Sequence, residues 1–96
     1  MNEEWREIPE YDEYAVSTFG RVKRIKDNYL MKICSNGHSV NIRRQGVQKG
    51  FSISDLVGCA FLNQDINDPY RNRVLHKDKD VRNNKIDNLS CLAFVL

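Results

Sequence analysis

The sequence predicts a small α+β domain, an antiparallel sheet covered by one helix, and three observations lead there. Apolar and polar residues alternate with a period of two through roughly the first fifty positions; the apolar spacing then changes to three and four; and 96 residues supply one compact folding unit rather than two. The expected division within that single domain, 1–96, is a β-rich module over 1–51, a helix within 52–63 and a C-terminal segment over 64–96.

Taken in order, Val22 and Ile25 sit among bases in Arg21-Val22-Lys23-Arg24-Ile25-Lys26, which reads as a strand. Two further runs, Leu30-Met31-Lys32-Ile33-Cys34 and Ser39-Val40-Asn41-Ile42-Arg43, are joined by Ser35-Asn36-Gly37-His38. Asn-Gly between alternating segments predicts a tight hairpin, because the turn whose twist matches the strands needs positive φ at both central residues. A second turn at Arg44-Gln45-Gly46 leads into Val47-Gln48-Lys49-Gly50-Phe51. Ser52-Ile53-Ser54-Asp55 then has the form of a capping box, and Ile53, Leu56, Val57, Ala60 and Phe61 share one face of a helix of about ten residues. Asn63 to Arg73, with Pro69, reads as a polar loop.

Several classes of function drop out. No apolar run approaches the roughly 20 residues of a membrane helix, and the opening Met1-Asn2-Glu3-Glu4-Trp5 is acidic where a signal peptide is basic and then apolar, so a cytoplasmic location is expected. Cys34, Cys59 and Cys91 are odd in number, far apart and without Cys-x-x-Cys spacing, which supports neither a disulfide framework nor a zinc knuckle. They read as reduced thiols, Cys59 and Cys91 as core. His38, after Asn-Gly, reads as a turn-flanking residue rather than a ligand.

The net charge of +2 conceals a segregation. Residues 1–14 set Glu3, Glu4, Glu7, Glu10, Asp12 and Glu13 against Arg6, whereas residues 21–51 set Arg21, Lys23, Arg24, Lys26, Lys32, Arg43, Arg44 and Lys49 against Asp27. A cationic middle third is what a phosphate backbone attracts, since each neutralised phosphate releases counterions. With no compensating acids seen to flank the strand-like runs, Arg21, Lys23, Arg24, Lys26, Arg43, Arg44 and Lys49 are the expected nucleic-acid-binding set, and double-stranded DNA the expected partner. The same charges could also line a solvated strand face.

The order Trp5-Arg6-Glu7-Ile8, Tyr11, Tyr14-Ala15-Val16-Ser17, Gly20-Arg21-Val22, then Leu56-Val57-Gly58-Cys59-Ala60-Phe61, resembles the NUMOD4-like module that often precedes an HNH motif. Val74-Leu75-His76-Lys77-Asp78-Lys79-Asp80 followed by Asn83-Asn84-Lys85-Ile86-Asp87-Asn88-Leu89 resembles the HNH motif of phage-type homing endonucleases. The resemblance implies that His76 falls on the general-base histidine and Asn88 on the central asparagine, and that the C-terminal segment is a ββα-metal fold. In that family a histidine on the first strand deprotonates water while a divalent cation such as Mg²⁺ stabilises the leaving oxygen.

The match departs from the family at four places. Leu75 stands where the family has a carboxylate or amide ligand, and an isobutyl group offers no lone pair to a hard cation. With a second strand over Leu89 to Leu96, the position of the helix-borne second ligand falls past the last residue, so the segment is expected to be a truncated ββ remnant. Lys79 replaces the turn glycine and Cys91 a tryptophan; Lys79 therefore either redraws the turn or adopts a left-handed conformation costing roughly 1–2 kcal/mol. Leu75 is expected to pack against Leu89 or Cys91. Asn83, Asn84 and Asn88 also have a structural role open to them, bracing loops through backbone groups.

The leading expectation is a DNA-binding protein derived from an HNH homing endonuclease of a phage, virus or mobile element, acting in a host cell without nuclease activity, cofactor or bound metal. The alternatives are an active metal-dependent nicking enzyme using His76 and Asn88, with metal recruited through Asp78 or Asp80 or by a second subunit, and a viral protein that binds a host protein through the acidic segment Glu3 to Glu13.

Overall fold

A computed structural model describes residues 2–62 and 73–92. Of the polar loop expected over Asn63 to Arg73, residues 63–72 fall outside what is described, as do the distal end of the second C-terminal strand over 93–96 and the side chain of Cys91, while Arg73 opens a strand instead. Four strands, β1 (Trp5–Ile8), β2 (Tyr11–Ser17), β3 (Val22–Arg24) and β4 (Tyr29–Leu30), form an antiparallel sheet in that order. A two-stranded ribbon comes next, β5 (Ser39–Arg44) with β6 (Val47–Ser52), then helix α1 (Ile53–Phe61), and a second ribbon of β7 (Arg73–His76) with β8 (Leu89–Leu92). This is the α+β arrangement of small antiparallel sheets and one helix that the changing period predicts.

One apolar cluster joins all parts. Ile8, Tyr14, Val16 and Val22 from the sheet, Val40, Ile42 and Phe51 from the first ribbon, Ile53, Leu56, Val57 and Cys59 from α1, and Leu89 from the second ribbon are buried together. The helix packs against β1, β2, β6, β7 and β8, so its apolar stripe ties the sheet to both ribbons. No helix among the described residues is long and apolar enough to cross a membrane.

Three local expectations are corrected. The strand expected over Arg21 to Lys26 ends at Arg24, where Ile25–Asp27 turn into a 3-10 segment and Asn28 takes φ 56°. The Asn36-Gly37 turn does not join a hairpin, because β4 pairs with β3 and not with β5. Asn36 instead braces a loop, its Oδ1 accepting the amides of His38 and Ser39 at 3.0 and 3.1 Å. The true hairpin turns at Gln45-Gly46, with φ 51° and 80°, placing Arg44 opposite Val47. Burial decided this: Val40 and Ile42 have core to enter, whereas Leu30 and Ile33 stay exposed. Finally, Ser52 occupies the N-cap of α1 but its hydroxyl makes no capping bond. It is still part of β6, and the first helical amide, of Ile53, donates instead to the His38 carbonyl at 2.9 Å.

Candidate functional site

His76 ends β7 opposite Leu89, and the ladder extends one step as the Lys77 amide donates to the Asn88 carbonyl at 2.8 Å. The chain then turns sharply, the Lys79 amide donating to the His76 carbonyl at 3.0 Å with Lys79 itself at φ 65°. Of the two options open to a lysine at this glycine position, the left-handed conformation is the one adopted.

Asp78 organises the loop from this turn to β8. Its Oδ1 accepts the Asp80 amide at 2.8 Å and Asn88 Nδ2 at 2.9 Å, and its Oδ2 accepts Asn83 Nδ2 at 2.8 Å. Asn88, buried, also donates to the Asn83 carbonyl at 2.8 Å and accepts the Asp78 amide at 3.2 Å. Asn84, 4% exposed, places Oδ1 2.7 Å from His76 Nε2. The three asparagines thus brace the loop beneath His76.

Leu75 is 44% exposed, contrary to the packing expected of it. The register explains why: Leu75 faces Ser90 across the ribbon, while Leu89 lies opposite His76 on the other face, the one that joins the core. An exposed leucine supplies no donor. Both oxygens of Asp78 already accept hydrogens from their own loop, and the described residues hold no group of three or more His, Cys, Asp or Glu arranged to hold an ion. The donors described around His76 therefore do not fit a divalent cation.

The N-terminal module abuts this loop directly. A Cβ added at Gly20, whose φ is 80°, would lie 2.8 Å from both the Cβ and the carbonyl oxygen of Asn84. Two residues on, the Ile86 amide donates to the Thr18 carbonyl at 2.8 Å. Thr18 is clamped in turn, its Oγ1 accepting the Glu4 amide at 3.0 Å and its own amide donating to the Glu4 carbonyl at 2.9 Å.

The cationic residues divide into two groups. The expectation that no acids flank them is corrected: Arg21 is ion-paired with Glu3, Arg24 with Asp27 at 2.7 Å and Arg44 with Glu10 at 3.5 Å. Two of those acids are remote in sequence and reach the bases only through strand pairing and turns. The Arg21 guanidinium, opposed by some desolvation, holds the Glu3 carboxyl below its ordinary range. Lys23 lies over the Trp5 ring at 4.4 Å and Lys49 over Phe51 at 5.2 Å, while Lys26 is exposed.

Arg43 belongs to a different surface. Along β5, Val40 and Ile42 are buried, so Asn41 and Arg43 point outward; their partners on β6 are Gly50 and Gln48. All four are exposed, and Arg43 Nη2 reaches Gln48 Oε1 at 3.5 Å. A Cβ at Gly50 would come within 3.1 Å of Asn41 Oδ1, so glycine leaves the amide room to lie across the ribbon. Asn41 and Gln48 are absent from the expected binding set. The period-two pattern that buries Val40 and Ile42 was the signal that would have found Asn41.

Residues 3–44 match the NUMOD4 motif, and in sequence and overall fold the chain is similar to HNH homing endonucleases. It is 29% identical over 91 residues to "Uncharacterized HNH endonuclease L245" of Acanthamoeba polyphaga mimivirus, covering 93% of this chain and 27% of that protein. It also matches the solved structure described as "DNA binding and cleavage by the HNH homing endonuclease I-HmuI" with a TM-score of 0.74 and 30% identity, covering 93% of this chain and 52% of that one. The chain thus spans about half the length of the solved relative and about a quarter of the viral one.

Proposed function

We propose that this chain binds duplex DNA through the β5–β6 ribbon and does not itself cleave it. The observation that carries the reading is the outward face of that ribbon, where Asn41, Arg43 and Gln48 stand exposed with no acid among them. A two-stranded ribbon fits the major groove, about 12 Å wide, and Arg and Asn or Gln are the side chains that pair bidentately with guanine and adenine edges. Lys49, exposed on the other side of the ribbon in register with Ile42 and over the Phe51 ring, and Lys23 and Lys26, with no ion pair among the described residues, are suited to phosphates. The structural relative, described as binding and cleaving DNA, and the viral relative support a DNA-directed role inside a host cell of a virus or mobile element.

Absence of cleavage rests on Leu75 and Asp78. The first brings no donor to the cation-side position, and the second has its carboxylate committed to Asn83, Asn88 and the Asp80 amide. A second reading, a Mg²⁺-dependent nicking enzyme, is favoured by one feature, the ordered hydrogen bond on His76. In this reading Asn88 organises the loop and His76 acts as base.

Fluorescence anisotropy on duplex DNA at several salt concentrations tests the binding. If about four to six phosphates are engaged, log K falls against log salt with a slope of about −4 to −5. Arg43→Ala is expected to cost about 1–3 kcal/mol on a selected sequence and far less on random duplex, whereas Lys49→Ala weakens both alike. Salt-independent binding, or binding indifferent to Arg43, overturns the reading and favours a protein partner. Plasmid nicking with Mg²⁺, abolished by His76→Ala, would establish the enzyme instead.

A further inference from the structure

Asn84 Oδ1 stands 2.7 Å from His76 Nε2. An amide oxygen has lone pairs and no hydrogen, so at this distance the ring nitrogen must be the donor. In a neutral imidazole a proton on Nε2 leaves the lone pair on Nδ1, and the hydrogen bond on one nitrogen selects the state of the other. Asn84 is therefore placed to decide which atom of His76 can accept a proton.

What holds Asn84 lies in the other half of the chain. Gly20 presses against its Cβ and carbonyl oxygen, closer than any side chain at position 20 would allow, and the Ile86 amide is tied to the Thr18 carbonyl on the same turn. The Gly20 amide donates back to the Ser17 carbonyl at 3.0 Å, and Ser17 Oγ donates to Glu3 at 2.7 Å while accepting the amides of Phe19 and Arg21 at 3.1 and 3.2 Å. A rigid turn between β2 and β3 thus forms the seat on which the His76 loop rests.

We propose that Asn84, seated on the Thr18–Gly20 turn of the N-terminal module, is a positioning residue that fixes His76 in the Nε2–H tautomer and presents Nδ1 as the proton-accepting atom. The module then does more than contribute surface charge: it sets the chemistry of the imidazole on the far ribbon. This holds whether or not the chain cleaves DNA.

Two-bond ¹H–¹⁵N correlation of ¹⁵N-labelled protein reads the tautomer directly, at a pH where the imidazole is neutral. His38→Gln in every sample leaves His76 as the one imidazole, since the chain has two histidines. The expected result is an Nε2–H signature in the parent, loss of that preference in Asn84→Ala, and its retention in Asn84→Asp, which keeps an acceptor in place. Gly20→Ala is expected to shift His76 towards the Asn84→Ala spectrum. Gly46→Ala, at the same φ of 80° but with nothing within 4 Å of an added Cβ, should leave His76 unchanged. An Nδ1–H parent, or an Asn84→Ala spectrum identical to the parent's, overturns the proposal. Should Gly20→Ala fail to fold, the Asn84 pair decides it. No DNA enters the measurement, so its failure is separate from any failure of the DNA-binding reading.

Discussion

Asn88 and Asp78 clasp each other: Asn88 Nδ2 donates to Asp78 Oδ1 at 2.9 Å, and the Asp78 amide donates back to Asn88 Oδ1 at 3.2 Å. The clasp closes the loop that leaves His76 against the one that enters β8, and a third bond, from Asn88 to the Asn83 carbonyl, fixes its far side. Asn88 is buried, but the partners that removing its amide would leave, Asp78 and Asn83, are exposed and half-buried, so water can take up part of the lost bonding. Asn88→Ala is therefore expected to cost roughly 1–3 kcal/mol in urea unfolding. A loss below about 1 kcal/mol would mean that the loop rearranges and the clasp holds little.

The same clasp has a pH dependence. The Asn83 amide first, then the Asp80 backbone N–H and the Asn88 amide, hold the Asp78 carboxyl below its ordinary range. A carboxyl whose folded pKa is depressed contributes its stability above the unfolded value and loses it as pH falls through the folded one. The Asp78 to Asn88 loop is thus expected to loosen only on acidification below the usual carboxylate range. Glu3 and Asp27 are lowered likewise and add to the acid limb, so the informative quantity is a difference. Thermal melts of the parent and Asp78→Asn should diverge at neutral pH and converge in acid. Parallel curves would remove Asp78 from the acid response.

For Leu75 the expected cost of a charge changes with its observed place. Buried, a leucine exchanged for an unpaired carboxylate loses several kcal/mol; at 44% exposure opposite Ser90, Leu75→Asp should cost no more than about 1 kcal/mol, chiefly through strand propensity. Calorimetry checks this, and a loss of about 3 kcal/mol would return Leu75 to the core.

Leu75 also marks the limit of what was legible. The alternation of Val40 and Ile42, the three-and-four spacing from Ile53 to Phe61 and the order of motifs around His76 each act over a few residues, and the fold class could be read from them. Which face of a ribbon is covered depends on partners elsewhere in the chain. Leu75 could be assigned a face only once its register with Ser90 was known, and the ion pairs Glu3 to Arg21 and Glu10 to Arg44 bridge residues with no local signal. Asn36-Gly37 had the right turn chemistry but led to no ribbon, because neither Leu30 nor Ile33 had a core to enter. The seat of Asn84 on Gly20 spans most of the chain and carries no pattern at all.

Lys79 offers the cleanest measurement of local strain. It is exposed, its φ is 65°, and it closes the turn with a hydrogen bond from its amide to the His76 carbonyl. An L residue there costs roughly 1–2 kcal/mol relative to a right-handed conformation, and glycine removes the steric part while adding freedom to the unfolded chain. The two effects oppose, and the net gain expected for Lys79→Gly is about 0.5–1 kcal/mol. In a domain of this size that raises Tm by about 2–8 °C. Lys79→Ala keeps a Cβ at the same φ and should leave Tm within about 2 °C of the parent. If the alanine variant gained as much as the glycine one, the stabilisation would come from losing the lysine charge near Lys77 and not from the backbone.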